Sequence, residues 1–271
     1  MMRVARADEI GTVLDWAAAE GWNPGLDDAA AFFAADPEGF FVTERDGAPV
    51  AAISVVNHAP DMAFLGLYLC RPEWRGQGIG FALWQHALAH AGARTVGLDG
   101  VAAQQANYAK SGFAHAGASL RYEGRLDAAA SPRVRPATPA DAAAIDALDR
   151  AANGYTRPGF LAGWVAATET RRTLVLDEGA GFATIRACRD GVKIGPVVAP
   201  DDRAALVLAR AALAVLPADR VILDLPSSNL ALQTALTRLG FAETFATARM
   251  YRGPAPRGSA TLQAIATMEL G

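Results

Sequence analysis

The chain has 271 residues, 52% of them hydrophobic and 20% charged, which suffices for one large domain or two of ordinary size. No apolar run approaches the ~18 residues that a membrane-spanning helix needs, and a net charge of −3 with scattered Lys and Arg gives no basic field for nucleic acid or an anionic membrane. Cys70 and Cys188 lie apart in apolar sequence and the four histidines make up no set of metal ligands with them, a pattern expected of reduced thiols in a cytoplasmic protein without a metal site.

The opening residues read as a strand over 2–6 rather than a secretory signal, with Asp8 placed to cap the helix that follows. Ile10, Val13, Leu14, Ala17 and Ala18 share one face of that helix. Gly21-Trp22-Asn23-Pro24-Gly25 ends it, and a second, short helix runs to Asp36-Pro37. Strands are expected over 40–44 and 51–56, joined by Asp46-Gly47, residue types that take the positive φ of a two-residue hairpin. After the loop 57–61, the apolar run 62–70 has the composition of a buried strand. A glycine-rich turn, Arg71-Pro-Glu-Trp-Arg-Gly-Gln-Gly-Ile-Gly80, then leads into a helix over 81–91, where Ile79, Leu83, Ala87 and Ala91 recur at helical spacing. A strand at 95–99, a short helix at 104–110 and closing strands from Gly112-Phe113 to Gly124 complete a mixed α/β plan with a hairpin edge.

Strand, glycine turn and helix in that order make an anion site. Glycines remove the Cβ atoms that would hold a ligand off the backbone, and the free N–H groups of the first helical turn carry the positive end of the dipole. Phosphate or pyrophosphate is the natural occupant. The turn lacks the Gly-Lys-Ser/Thr ending of a nucleotide triphosphatase loop and the Gly-x-Gly-x-x-Gly of a dinucleotide fold. Arg75-x-x-Gly78-x-Gly80 preceded by Pro72-Glu-Trp instead resembles the coenzyme A pyrophosphate loop of the GNAT superfamily of acyl-CoA N-acyltransferases. The resemblance implies that Arg75, Gly76, Gln77, Gly78, Ile79 and Gly80 hold the coenzyme, and that backbone near Leu69 and Cys70 holds the thioester carbonyl where two strands splay.

Residues 127–132, small and aperiodic with a proline, read as a linker, and beyond them the plan starts again. Arg133-Val-Arg-Pro-Ala137 parallels Arg3-Val-Ala-Arg-Ala7, and Thr138-Pro-Ala-Asp141 offers a capped helix start. Ile222-Leu-Asp224 answers Gly97-Leu-Asp99, Leu239-Gly-Phe241 answers Ser111-Gly-Phe113, and Arg249-Met-Tyr-Arg-Gly253 answers Leu120-Arg-Tyr-Glu-Gly124. Echoes in the same order indicate a duplication. Two tandem GNAT-like domains are expected, residues 1–127 and 133–271, each a mostly antiparallel mixed twisted sheet flanked by helices. The second, with Lys193-Ile-Gly-Pro-Val-Val-Ala-Pro200 and Met268-Glu-Leu-Gly271, is similar to the C-terminal domain of YitH-type bacterial acetyltransferases.

Aligning Leu98-Asp99 with Leu223-Asp224 sets Pro200, Arg203 and Ala205 opposite Arg75, Gly78 and Gly80. Side chains then stand where backbone must touch phosphate, and Asp201 and Asp202 repel it, so the second copy keeps the fold without the anion site. Family members often carry an Asn twelve residues, and a Tyr five residues, before the Phe of the Gly-Phe pair. The first copy has Tyr108 with Val101 at the Asn position; the second has Asn229 with Leu236 at the Tyr position.

The resemblance implies direct attack of an amine on acetyl-CoA, with no metal, and Tyr108 protonating the departing thiolate. Trp22, Asn23, His58 and Asp99 are the residues expected at the acceptor site; His58, Asp61, Glu73 and Asp99 are titratable candidates for a base, and no spacing singles one out. The expected partner is a small-molecule or peptide amine, with no nucleic acid and no membrane, in a chain that could pair as a homodimer. An acyl-CoA-binding regulatory module and an O-acyltransferase are the alternatives, since the scaffold does not fix the acceptor atom.

Overall fold

The computed structural model covers residues 1–271 and every side chain but that of Glu178. Strand β1 (Met2–Val4) precedes helices α1 (Ala7–Ala19) and α2 (Asp28–Ala35). The cap of α1 is Arg6, not Asp8: Glu9 reaches back to the Arg6 N–H at 2.8 Å. Strands β2 (Phe40–Arg45) and β3 (Ala48–Asn57) flank Asp46-Gly47, both at positive φ (51° and 78°), the geometry that hairpin twist favours. Then come β4 (Met62–Cys70), α3 (Ile79–Leu88), β5 (Thr95–Gly100), α4 (Gln105–Lys110) and the long β6 (Ala114–Gly124).

The second half repeats the order with β7 (Val134–Pro136), α5 (Ala142–Asn153), α6 (Pro158–Trp164), β8 (Arg171–Leu176), β9 (Gly181–Ala187) and β10 (Val192–Val198). It continues through α7 (Asp202–Val215), β11 (Val221–Pro226), α8 (Leu230–Arg238), β12 (Ala242–Arg252) and the short β13 (Leu262–Ala264). Thr138 and Asp141 form the expected capping box ahead of α5. Residues 125–133 hold no helix or strand. Among the described residues no helix is long and apolar enough to cross a membrane.

Both halves share one sheet, in the order β1-β2-β3-β4-β5-β12-β6-β11-β10-β9-β8-β7. The closing strands are exchanged: β12 pairs with β5 of the first half, and β6 pairs with β11 of the second. The β12–β6 pair joins the two exchanged strands to each other. This exchange also corrects the register of the sequence echo. Asp99 lies opposite Arg249, and Asp224 lies opposite Arg121, so the equivalent residues are Arg249 and Arg121 rather than Arg249 and Leu120.

A β-bulge in β4 positions the site. Tyr68 and Leu67 together oppose the single residue Ile53, and Leu67 takes φ 47°. The extra residue switches the alternation of the strand. Ala63 and Leu65 face α3 with Val55, Leu83 and Ala87, whereas Leu67 and Leu69 face the other side with Ile10, Leu14 and Phe32. Pairing of β4 with β5 stops at Leu65↔Leu98, just before the bulge, so the strands diverge from there. A notch opens in the sheet.

Candidate functional site

The turn between β4 and α3 forms one wall of the notch. Gly76 and Gly78 both sit at φ 75°, which glycine adopts without the Cβ penalty, and Gly78 is the residue that caps α3. Among the described residues, the N–H groups of Gly76, Gln77, Gly78, Ile79, Gly80 and Phe81 meet no acceptor in the chain. Successive free amides at a helix start are what a phosphate needs. The turn is tied down by its side chains: Arg75 donates through Nε to Cys70 O (2.8 Å) and pairs with Glu20, and Gln77 donates to Glu73 O (3.1 Å). Gly80 serves a different need from the one its place in the turn implies. A Cβ there would lie 2.8 Å from the Tyr68 hydroxyl, so the glycine makes room for a side chain of β4.

Arg71 N–H donates to Val50 O at 3.0 Å, so by the alternation of an antiparallel ladder Leu69 also faces β3 and Cys70 turns its N–H and C=O to the open side. The Cys70 carbonyl bound by Arg75 agrees with this. Of the two residues expected at the carbonyl, Cys70 presents backbone to the notch and Leu69 spends its amide on the sheet.

Within the notch lies a cavity of about 80 Å³, far more than the 10–15 Å³ a single water needs. Trp22, Tyr68, Tyr108 and Phe245 supply aromatic walls; Asp99, Arg121, Thr247 and Glu269 supply polar atoms. Val101 stands at its edge, where the family pattern has Asn. Tyr108 stacks on Trp84 at 5.2 Å, and among the described residues its hydroxyl finds no hydrogen-bond partner yet keeps solvent contact. Burial, and then the neighbouring Tyr68, push the Tyr108 phenol above its ordinary pKa, so it stays protonated.

The expected acceptor residues divide. Trp22 and Asp99 line the cavity. Trp22 is aimed from both halves, since its carbonyl accepts from Lys193 Nζ on β10 (2.9 Å) and Arg121 Nη1 on β6 (3.3 Å). Asp99 is fully engaged by Arg249, Ser119 and Thr247. Asn23 is elsewhere: at φ 52° it clasps both the N–H and the C=O of Asp190, joining the halves. His58 is also elsewhere, buried beside Tyr155 and Phe160 with Nε2 2.8 Å from Leu270 O. Burial, with Arg157 adding to it, lowers its pKa to about 4. Glu73 pairs with Arg71 on the surface.

Sequence patterning missed the contributions of the second half. Phe245 and Thr247 reach the cavity because β12 is exchanged, and Met268 and Glu269 reach it because residues 262–271 cross from one half to the other. The only sequence signal in that segment is the family-like ending Met268-Glu-Leu-Gly271. Gly66 lets it in: a Cβ at Gly66 would overlap the Glu269 carbonyl oxygen.

The equivalent notch of the second half is closed. Strands β10 and β11 pair only at Val192↔Val221 and Lys193↔Ile222, and β13 fills the gap beyond, pairing with β10 while Ile265 N–H donates to Asp224 O (2.8 Å). Asn229 donates to the carbonyl and side chain of Gln263 on β13. Asp201 caps α7 by accepting from Ala204 N–H at 2.8 Å. The chain's own atoms therefore take up the groups that stand free in the first half. Among the described residues no group of His, Cys, Asp or Glu is arranged to hold a metal ion.

A sheet notched beside a glycine turn of free amides defines a GNAT-type acyltransferase fold. The chain belongs to the GNAT acetyltransferase family. Residues 8–113 match the description "Acetyltransferase (GNAT) family" and residues 145–263 match "Acetyltransferase (GNAT) domain". It is 36% identical over 274 residues to the holothin acyltransferase of Pseudoalteromonas sp. (strain SANK 73390), covering 98% of this chain and 93% of that one. A putative acetyltransferase from Pyrococcus horikoshii superposes with TM-score 0.84 at 20% identity, over 100% of this chain and 95% of the other. A tandem GNAT protein from the clavulanic acid biosynthesis pathway gives TM-score 0.63 at 18% identity, over 94% and 99%. These structures share the fold; the protein is an acyltransferase of tandem GNAT architecture.

Proposed function

We propose that the protein transfers the acetyl group of acetyl-CoA to the amine of a small molecule, in a ternary complex formed in the first half alone. The observation that carries this is the run of free amides from Gly76 to Phe81 beside a cavity lined by Tyr108. The amides cradle pyrophosphate, with Arg75 bracing the turn from behind. Backbone at Cys70 orients the thioester carbonyl, and Tyr108 donates its proton to the departing thiolate. Holding amine and thioester in line supplies much of the acceleration. Trp22 and Phe245 give the cavity flat apolar walls, which favours a compact, planar acceptor over a peptide.

The 36% identical relative is named for holothin, so holothin is the first acceptor to try, followed by a panel of small aromatic and alkyl amines. The test is release of free thiol from acetyl-CoA and longer acyl-CoAs, with formation of the amide followed by mass spectrometry. Acyl-CoA binding without thiol release on any acceptor would mean a sensor, and ester products would mean O-acyl transfer.

A further inference from the structure

We propose that Glu269, delivered into the first half by the last residues of the second, is the base that removes the proton from the attacking amine. This rests on the acyl transfer proposed above. Glu269 is buried and lines the cavity that holds Trp22, Tyr68 and Tyr108. Its two carboxyl oxygens are used differently. Oε2 accepts from the Thr267 hydroxyl, and Thr267 Oγ1 in turn accepts from the Glu269 N–H at 3.2 Å. Among the described residues Oε1 finds no hydrogen-bond donor, and it keeps solvent contact, which at this depth the cavity supplies. One oxygen is fixed and the other is presented.

The backbone is equally constrained. The Glu269 carbonyl packs on Gly66, the residue just before the bulge and just past the last β4–β5 pair, so the segment enters where the strands diverge. The other acids near the cleft are spent: Asp99 is bound by Arg249, Ser119 and Thr247, and Asp224 by Arg121. The groups that face Glu269 are Lys193 from β10, Arg121 from β6, Arg186 from β9 and Asp28 from α2. Burial raises the carboxyl above its ordinary pKa, and the three cations oppose that shift without reversing it. A carboxylate of raised pKa is a stronger base than one in water.

The step balances within the ternary complex. The amine nitrogen bonds to the thioester carbonyl carbon, whose π pair moves to oxygen, and the nitrogen's proton passes to Glu269 Oε1. The carbonyl re-forms as the C–S bond breaks, and the thiolate takes the Tyr108 proton. Glu269 then gives its proton to solvent as Tyr108 regains one, leaving amide and free coenzyme A.

The experiment follows kcat/KM against pH with an accepted amine, for the full chain and two variants. Wild type should lose activity as pH falls through the Glu269 pKa, above the ordinary carboxylate range. Glu269→Gln should fall roughly 10²- to 10⁴-fold in kcat and lose that acidic limb, with acetyl-CoA affinity by titration calorimetry unchanged. Thr267→Val removes the hydrogen bond that favours the ionised form, so its limb should move to higher pH. Should Glu269→Gln unfold, the shift in Thr267→Val decides alone. A limb at the wild-type position in both variants, or an equal rate in Glu269→Gln, would overturn the assignment and leave acyl transfer standing. No transfer by wild type to any amine would overturn both.

Discussion

Arg121 on β6 grips Asp224 on β11 with two parallel hydrogen bonds, Nε to Oδ1 at 2.7 Å and Nη2 to Oδ2 at 2.9 Å. Arg249 on β12 holds Asp99 on β5 in the same way, at 3.0 and 2.6 Å. In each pair the arginine comes from the closing strand of one half and the aspartate from the other half. The duplication is thus recorded as two crossed ion pairs flanking the β12–β6 ribbon. Burial opposes ionisation of Asp224, and the adjacent guanidinium outweighs it, holding that carboxyl below its usual range.

Breaking the pair from one side leaves a buried charge without its partner. Arg121→Met should cost about 3–5 kcal/mol in urea unfolding, and adding Asp224→Leu should recover most of it. A single variant as stable as wild type would show that water reaches Asp224.

Tyr108→Phe keeps the ring on Trp84 and removes only the hydroxyl. The turnover number should fall by roughly 10²- to 10⁴-fold while acetyl-CoA affinity stays put. An unchanged turnover number would reduce Tyr108 to a core aromatic.

Each chain should bind a single acetyl-CoA. Gly78→Asp places a strained side chain and a negative charge among the free amides, and calorimetry should show no binding in a variant that still folds. Asp201→Gly frees the Ala204 amide, yet β13 still fills the second notch, so stoichiometry should stay at one. A value of two in wild type would contradict the closed notch.

His58 gives a pH dependence whose sign follows from burial. Its folded pKa of about 4 lies below the ordinary 6.5, so the unfolded chain binds the extra proton. The contribution is fully present above pH 6.5 and is lost as pH falls towards 4, by about 3 kcal/mol. His58→Phe should flatten the slope of unfolding free energy between pH 7 and 4, and an unaltered slope would falsify the assignment.

Gly66→Ala tests the seat of the last residues. The added methyl meets the Glu269 carbonyl, which is backbone, so the segment must shift to admit it. Overpacking of this kind costs about 1–3 kcal/mol and should pull the carboxyl out of the cleft, lowering turnover more than acetyl-CoA affinity. Full activity in Gly66→Ala would mean the segment moves freely.

What could be read from the sequence was local. Asp46-Gly47, the apolar run 62–70, the glycine turn and the Thr138–Asp141 box each encode their shape within a few residues, and each stands where expected. Duplication was legible too, because equivalent residues recur in order. Strand exchange was not. A closing strand such as β12 has the same alternating pattern whether it pairs with its own half or the other, and only the paired geometry of Asp99 with Arg249 reveals the choice. The acceptor site suffered most, because a residue's burial is set by distant chain. Nothing near His58 foretells Tyr155 and Phe160 around it, and nothing near Glu269 foretells Gly66. Nor does the turn's own sequence foretell Tyr68, the side chain that the missing Cβ of Gly80 admits.

The exchanged strands set a timetable for the growing polypeptide. As the chain leaves the ribosome, β5 is made long before the strand that must lie beside it, and its hydrogen-bonding edge stays bare until synthesis reaches Arg252. Strand β6 emerges with neither of its neighbours, β11 and β12, yet translated. Uncovered edges recruit other strands, so the nascent first half is a natural client for holding chaperones. Premature termination anywhere before β12 yields a fragment poised to aggregate rather than a smaller working enzyme.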